Sequence, residues 1–150
     1  MQIKSTSSDY TEKIAGQIGK NLKGGEVIEL VSDLGGGKTV FAKGIAAGAG
    51  SKDEVTSPTF TISKVYNAPK FTIWHFDFYR LFDPGVVKLE LQEAMKDKKV
   101  VVVVEWGKIV EKALPKKRLV VGIKTINEST RNIKISAHQD LRYLLESVKQ

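Results

Sequence analysis

The sequence predicts an α/β fold of three layers, in which helices cover a mixed sheet with parallel core strands and antiparallel hairpins. Three observations support this prediction. Residues 100–104 are five consecutive valines, as expected of a parallel strand that is buried on both faces. Apolar runs flank short turn-rich segments at residues 67–70 and 126–130, which is typical of hairpins and therefore of antiparallel strands. Amphipathic stretches separate these runs and predict helices.

In the amino-terminal half, apolar spacing predicts two strands, one beginning at Ile3 and one at residues 27–31, and two helices. The apolar face of the first helix repeats every four residues, at Tyr10, Ile14, Ile18 and Leu22. Asp9 and Glu12 fit a capping box at the start of this helix. The second helix is expected to extend to about Ala49.

The remaining predicted elements are two hairpins, one buried strand and three helices. The hairpin strands cover residues 62–66, 71–78, 119–123 and 132–137. Asp83-Pro84 supplies an N-cap and an N1 proline for one helix, and a shorter helix is expected at residues 108–114. A C-terminal amphipathic helix is predicted at about 139–149, where it would pack on the core or serve a partner. We expect the whole chain, residues 1–150, to form one domain.

The composition excludes several classes of function. The chain has no cysteine, so a disulfide framework, a thiolate metal site and a cysteine nucleophile are excluded. No apolar run is long enough to span a bilayer and the N-terminus lacks a signal-peptide layout, so we expect a cytoplasmic protein without a membrane partner. The net charge of +7 favours binding to RNA or to an acidic protein, although a solvated basic surface explains the same charge.

Residues 32–39, Ser-Asp-Leu-Gly-Gly-Gly-Lys-Thr, lie between the second predicted strand and the second predicted helix. This order is the layout of a phosphate-binding P-loop, in which backbone N–H groups and the helix N-terminus bind phosphate. Lys38 would contact the β- and γ-phosphates, and the Thr39 hydroxyl would bind magnesium. The first position is Ser32, where the pattern has glycine, and a glycine-rich surface turn is the alternative explanation. The motif makes the predicted fold P-loop NTPase-like.

Three further segments supply candidate groups around this loop. Residues 56–61 are rich in hydroxyl groups, and P-loop proteins keep a switch loop here whose threonine senses the γ-phosphate, which makes Thr59 a candidate. Asp77 ends an aromatic strand and Glu105 follows the valines, at the strand ends where open α/β sheets bind ligands. The alternatives are a plain polar connector for the loop, a helix cap or a salt bridge to Arg80 for Asp77, and a solvated charge for Glu105.

Together these groups meet the needs of nucleoside triphosphate hydrolysis. Magnesium must be held by Thr39 and a carboxylate, and a water molecule must be oriented in line with the γ-phosphate. Glu105 and Asp77 can divide these two tasks, and the sequence does not assign them individually. The guanine-reading pattern N-K-x-D is absent, which favours ATP.

Four motifs in this order and spacing resemble the TsaE (YjeE-type) family of bacterial P-loop ATPases. They are Asp-Leu-Gly-Gly-Gly-Lys-Thr at 33–39, Ser-Pro-Thr-Phe-Thr at 57–61, His-Phe-Asp-Phe-Tyr-Arg-Leu-Phe-Asp-Pro at 75–84 and Glu-Trp at 105–106. The resemblance implies an ATPase of tRNA threonylcarbamoyladenosine biosynthesis that supports the TsaB–TsaD assembly. TsaD, and not this chain, would transfer the threonylcarbamoyl group to adenosine 37, and tRNA would be reached indirectly through the complex.

The resemblance also implies which residues of this chain form the site. Catalytic roles fall on Glu105, Asp77 and Lys38, and magnesium ligands would be Thr39, Glu105 and Asp77. The residues that would bind ATP are Asp33, Leu34, Gly35, Gly36, Gly37, Lys38, Thr39, Val40, Thr59 and Trp106. Ser32 departs from the family pattern. Because serine tolerates positive φ poorly, we expect a constrained first turn of the loop and at most an altered nucleotide affinity.

Two other classes of protein fit parts of the pattern. One is a small-molecule P-loop kinase, which would need an acceptor pocket and a lid with arginines, whereas this chain has four scattered arginines. The other is a scaffold that binds ATP without hydrolysing it. Phosphorylation of a metabolite would identify the first, and ATP binding without phosphate release would identify the second.

Overall fold

The computed structural model describes residues 1–149 and contains a seven-stranded sheet with the strand order β1-β7-β6-β2-β5-β4-β3. The strands are β1 (Gln2–Ser5), β2 (Val27–Ser32), β3 (Ser63–Asn67), β4 (Thr72–Asp77), β5 (Val100–Glu105), β6 (Leu119–Thr125) and β7 (Arg131–Ala137). The central strands β6, β2, β5 and β4 are parallel to one another. Strands β3, β7 and β1 pair antiparallel at the two sides. The predicted mixed sheet and both hairpins are therefore confirmed.

Helices cover both faces of this sheet. The helices found among residues 1–149 are α1 (Ser8–Lys20), α2 (Lys38–Gly48), α3 (Gly85–Lys96) and the 3-10 helices Gly107–Ala113 and Gln139–Leu145. Helices α1 and α2 and the second 3-10 helix pack on one face, and α3 and the first 3-10 helix pack on the other. The fold thus has the three layers that the sequence predicts.

The run of valines forms β5, which is buried on both faces of the sheet. Val101 and Val103 are buried in the layer of α1 and α2, whereas Val102 and Val104 are buried in the layer of α3. Each valine therefore contributes to one of two apolar cores. Because β2 and β4 flank β5 in parallel, the carboxyl ends of the three strands lie at the same edge of the sheet.

Helices α1 and α2 approach each other closely where glycine lies at their contact. A Cβ atom at Gly44 would collide with the carbonyl oxygen of Glu12 and with the side chain of Ala15. Gly16 lies in the same contact but leaves ordinary room, since the nearest atom to an added Cβ is the Gly44 carbonyl oxygen at 3.5 Å. The close approach therefore depends on Gly44, as it does on Gly19 and Gly48, where an added Cβ would also collide with the backbone of the other helix.

We expect Gly44→Ala to lower the free energy of unfolding by about 2 kcal/mol, because the two helices must separate to admit the methyl group. Gly16→Ala is the matched control and should raise that free energy by about 0.5–1 kcal/mol, since alanine favours the helix and fits. Urea unfolding measures both values. Equal effects of the two substitutions would contradict a close contact at Gly44.

The structure corrects two predicted helix starts. The N-cap of α1 is Ser7, whose hydroxyl accepts a hydrogen bond from the backbone N–H of Tyr10 at 3.1 Å, and Asp9 lies in the first turn instead. Ser7 has the extended backbone that a cap needs, with φ of −157°. Helix α3 begins at Gly85, so Pro84 is its N-cap residue and not its first helical residue.

The C-terminal helix is a 3-10 helix that ends at Leu145, earlier than the expected residue 149. The side-chain amide of Asn21 donates hydrogen bonds to the carbonyl oxygens of Tyr143 and Leu144, which a longer helix would use internally. Leu141 and Leu144 are buried against the core, so this element packs on the domain. Gln150 lies outside the described residues.

The predicted helix at 108–114 is likewise a 3-10 helix, Gly107–Ala113. Within residues 1–149, no helix combines the length and the apolar character that crossing a membrane requires.

Candidate functional site

A cleft of about 220 Å³ lies at the carboxyl ends of β2, β4 and β5. Its lining residues come from the glycine loop, the start of α2, the loop before β3 and the strand ends, and they are Leu34, Gly35, Gly36, Gly37, Lys38, Thr39, Val40, Ser57, Thr59, Asp77, Glu105 and Trp106. Asp77 and Glu105 are direct partners in the parallel register of β4 and β5. The cleft thus brings together every predicted site residue except Asp33.

The glycine loop has the backbone of an anion cradle. Gly35 and Gly37 have φ of 73° and 106°, in the left-handed region that glycine adopts without strain. A Cβ atom at Gly35 would meet no atom within 4 Å, so this side of the loop is open. Helix α2 begins at Lys38, and the N–H groups of its first turn have no carbonyl acceptor within the helix. These donors and the helix dipole fit a phosphate chain.

Lys38 is held at the wall of the cleft. Its Nζ donates hydrogen bonds to the Ser32 hydroxyl at 2.8 Å and to the Asp33 carbonyl oxygen at 3.1 Å. The ammonium group also lies 4.6 Å from the centre of the Trp106 ring. Burial lowers the pKa of the Lys38 amine below its ordinary range, and the carboxylates of Glu105 and Asp77 oppose this shift. Asp33 itself lines a neighbouring groove, and its hydrogen bond to Lys38 comes from its backbone carbonyl.

Ser32 does not strain the loop as expected. It is the last residue of β2, and the residues other than glycine with positive φ among residues 1–149 are Ile62 and Trp106. Its hydroxyl donates to the Asp33 carbonyl oxygen at 2.8 Å while accepting from Lys38. A Cβ atom at Gly36 would collide with the Ser32 side chain. Serine at the first position thus supplies an extra partner for Lys38 and depends on glycine at position 36.

Asp77 is buried and connects β4 to the hydroxyl-rich loop. Its Oδ2 accepts a hydrogen bond from the Thr59 hydroxyl at 2.6 Å, and its Oδ1 accepts from the backbone N–H of Tyr79 at 2.9 Å. The Thr59 hydroxyl also lies 2.7 Å from that of Ser57. Arg80 makes no ion pair with Asp77 within residues 1–149, and its guanidinium lies 4.5 Å from the centre of the Phe60 ring.

Glu105 is buried at the end of β5 beside Asp77. Its Oε1 is hydrogen-bonded to Nε2 of His75 at 2.8 Å. In the described part of the chain, Oε2 makes no hydrogen bond, and Glu105 lines the cleft. One carboxylate oxygen is therefore fixed by the protein, and the other is available to a ligand.

Trp106 follows Glu105 in a left-handed conformation, with φ of 55°, which few non-glycine residues adopt. Its ring lies 4.8 Å from that of Tyr79 and over Lys38. Strain of this kind occurs where the surroundings hold a residue in a defined place. Here it keeps the indole on the wall of the cleft.

The donor set also fits a hard divalent cation. The Thr39 hydroxyl and the carboxylates of Asp77 and Glu105 are oxygen ligands, which magnesium prefers. Residues 1–149 contain no group of three histidine, cysteine, aspartate or glutamate side chains that could hold a metal alone. A magnesium ion held by these oxygen atoms would take its remaining ligands from water or phosphate, as it does in phosphoryl-transfer sites.

Sequence reasoning gave no site role to four residues that shape the site: His75, Tyr79, Ser57 and Arg131. The first three lie within the family motifs at residues 57–61 and 75–84. His75 shares one face of β4 with Asp77, and this period-two spacing was the available signal. No sequence signal pointed to Arg131, because it lies 95 residues from its partner Gly36 in the chain. Its Nε donates to the Gly36 carbonyl oxygen at 3.2 Å, and its Nη1 donates to carbonyl oxygens of Asn127, Glu128 and Thr130.

We expect Arg131→Ala to weaken ATP binding about five- to tenfold, because the Gly36 peptide loses a charge-assisted hydrogen bond worth about 1–1.5 kcal/mol. Arg142→Ala is the charge-matched control, since Arg142 is exposed and lies outside the cleft. Isothermal titration calorimetry gives both dissociation constants. If the two variants bind ATP equally, Arg131 does not orient the loop.

Known proteins share much of this sequence. A model of the family described as "Threonylcarbamoyl adenosine biosynthesis protein TsaE" matches residues 5–133. The tRNA threonylcarbamoyladenosine biosynthesis protein TsaE of Bacillus subtilis is 38% identical over 137 residues, which cover 91% of this chain and 85% of that protein. The protein of the same name from Treponema pallidum is 34% identical over 142 residues, covering 91% and 100% of the two chains.

A solved structure shares the fold as well. The crystal structure of Bacillus subtilis YdiB superimposes with a TM-score of 0.76 at 31% sequence identity, covering 99% of this chain and 93% of that one. The family match includes the glycine loop, the hydroxyl-rich loop, Asp77 and Glu105. On these grounds, the chain belongs to the TsaE family.

Proposed function

We propose that this chain is an ATP-binding and ATP-hydrolysing accessory protein of tRNA N6-threonylcarbamoyladenosine biosynthesis, acting in the cytoplasm with TsaB- and TsaD-type proteins. The observation that carries the proposal is the single cleft in which a P-loop meets two buried carboxylates and a loop of hydroxyl groups. The names of its relatives support the pathway. The threonylcarbamoyl transfer itself would belong to a partner.

In this proposal, ATP with magnesium supplies the phosphoanhydride bond, and the chain binds and orients it. The glycine loop and the first turn of α2 bind the phosphates through backbone N–H groups. When ATP binds, Lys38 would replace its hydrogen bonds to Ser32 and Asp33 with hydrogen bonds to phosphate oxygens. The Thr39 hydroxyl and a carboxylate hold the metal.

The hydrogen bonds suggest how the two carboxylates divide their tasks. Both oxygens of Asp77 accept hydrogen bonds from the protein, so we assign Asp77 to holding the loop of Thr59 in the cleft. Glu105 has one oxygen without a protein partner in the described residues, so we assign it to orienting the attacking water or the metal's water ligands. Asp77 would also be a candidate ligand for the metal, since it lines the same cleft as Thr39.

Phosphate release by the purified chain, alone and with TsaB- and TsaD-type partners, tests the proposal. We expect slow release alone, faster release with the partners, and recovery of the partners in a pull-down that depends on ATP. Transfer of phosphate to a metabolite would replace the proposal with a kinase. ATP binding without hydrolysis in either condition would replace it with a nucleotide-dependent scaffold.

A further inference from the structure

We infer that His75 and Tyr66 are positioning residues for Glu105, and that they connect the orientation of its carboxylate to the loop of residues 56–59. The inference deepens the proposed function and rests on it for its kinetic consequence. The structural part concerns hydrogen bonds within the chain and can be tested without ATP.

A continuous chain of hydrogen bonds connects the cleft to this loop. Nε2 of His75 lies 2.8 Å from Oε1 of Glu105, and Nδ1 of the same ring lies 3.3 Å from the Tyr66 hydroxyl. The Tyr66 hydroxyl donates its single proton to the carbonyl oxygen of Thr56 at 3.0 Å. It therefore accepts from Nδ1–H of His75, while Nε2–H of the same ring donates to Glu105. Each group contacts the next across a different strand or loop, so the chain links β5, β4, β3 and the loop before β3.

Burial makes these bonds decisive for orientation. The exposed fractions are 0% for His75, 2% for Glu105 and 3% for Tyr66, so Oε1 and the imidazole have little access to water as a substitute partner. A buried polar group that loses its partner pays the full desolvation cost. Burial also raises the pKa of the Tyr66 hydroxyl, which therefore remains a donor at neutral pH. The carboxylate of Glu105 is thus held at the angle that the imidazole sets.

The loop of residues 56–59 is also hydrogen-bonded to the carboxylate of Asp77. The Thr59 hydroxyl donates to Oδ2 of Asp77 at 2.6 Å. Thr56, three residues before Thr59, accepts a hydrogen bond from the Tyr66 hydroxyl through its carbonyl oxygen. Both acidic groups of the cleft are therefore bonded, one directly and one through two side chains, to the same short segment. A movement of this segment would alter the two carboxylates together.

An ordinary core histidine is the simpler explanation for His75, and it makes different predictions. A core histidine needs only that its two nitrogens have partners, and its replacement would affect stability alone. A positioning histidine also affects turnover by Glu105 while leaving the phosphate cradle intact. Variants that remove one bond at a time separate the two explanations.

The kinetic test compares His75→Leu, His75→Gln and Tyr66→Phe. We expect His75→Leu to lower kcat at least tenfold while the dissociation constant for ATP changes less than twofold. His75→Gln should recover part of kcat, because its amide nitrogen can donate to Glu105. Tyr66→Phe should lower kcat about threefold, and should have no further effect in the His75→Leu background.

Tyr143→Phe is the control for loss of a hydrogen-bonded tyrosine hydroxyl, at a partly buried position. Tyr143 donates to Glu26 at 2.7 Å and lies outside the cleft, so its loss should lower stability and leave kcat unchanged. Thermal unfolding of every variant verifies that the folded protein is assayed. Unchanged kcat in folded His75→Leu, or additive effects of the Tyr66 and His75 substitutions, would overturn the inference.

A test without ATP separates this inference from the proposed function. In nitrogen-15 spectra of the histidine rings in the free chain, we expect Tyr66→Phe and Glu105→Gln each to shift the His75 nitrogen resonances, and Tyr143→Phe to leave them in place. Unshifted resonances would overturn the hydrogen-bond chain. Shifted resonances together with no ATP hydrolysis by the wild-type chain, either alone or with its partners, would overturn the proposed function instead.

Discussion

Replacement of Lys38 by alanine is expected to weaken ATP binding at least a hundredfold. The side chain is buried in the wall of the cleft, and in the proposed complex it makes charge-assisted hydrogen bonds to phosphate oxygens, each worth about 1.5–3 kcal/mol. Two such bonds correspond to a loss of about 10²–10⁴ in affinity. Isothermal titration calorimetry with ATP and magnesium measures the change.

Lys43→Ala is the matched control for this experiment. Lys43 lies on the same helix, α2, and its exposed ammonium group pairs with Glu12 at 3.3 Å, outside the cleft. The control should bind ATP as the wild type does and lose less than about 1 kcal/mol of stability. A normal dissociation constant for Lys38→Ala would refute the assignment of residues 32–39 as a P-loop.

The second large effect is expected at Glu105. Glu105→Ala should retain measurable ATP binding and lower the rate of hydrolysis by about 10²–10³, because the group that orients the attacking water is removed. Glu105→Gln keeps the shape of the side chain and an acceptor for His75 but removes the charge, so it should show a similar loss. A phosphate-release assay at saturating ATP measures the rate, and calorimetry measures binding.

Glu111→Gln provides the control for Glu105, since Glu111 is exposed on the 3-10 helix after the cleft. Its hydrolysis rate should equal that of the wild type. Unchanged hydrolysis by Glu105→Ala would remove Glu105 from the site and transfer the water-orienting role to another group, with Asp77 the nearest carboxylate in the register of the sheet.

Much of the fold was predictable because local patterns in this chain agree with the tertiary structure. The five valines of β5 are buried on both faces, and the turns after Asn67 and Thr125 close antiparallel hairpins. The helix ends were less predictable, since Ser7 and Asp9 are both good caps and only the backbone conformation decides between them. The C-terminal helix was overestimated because Asn21, far away in the chain, occupies its last carbonyl groups.

The candidate site likewise has residues that the sequence predicted and contacts that it did not. Lys38, Thr39, Asp77 and Glu105 could be chosen from sequence because each ends a strand or lies at the start of a helix, and parallel strands end at the same edge of a sheet. The expected strain at Ser32 was wrong because the residue remains in extended β2. Its contact with Lys38 could not be inferred, since it depends on how the loop folds back on itself.

The sequence by itself determined the order of strands and helices, the position of the glycine loop between β2 and α2, and the family. Only the tertiary structure decided which groups hold the catalytic candidates in place, because those contacts join residues far apart in the chain. His75 on β4 reaches Glu105 on the adjacent strand β5 across 30 positions, and Arg131 reaches Gly36 across 95 positions. Local propensity and periodicity describe single elements, whereas these contacts depend on the register and packing of several.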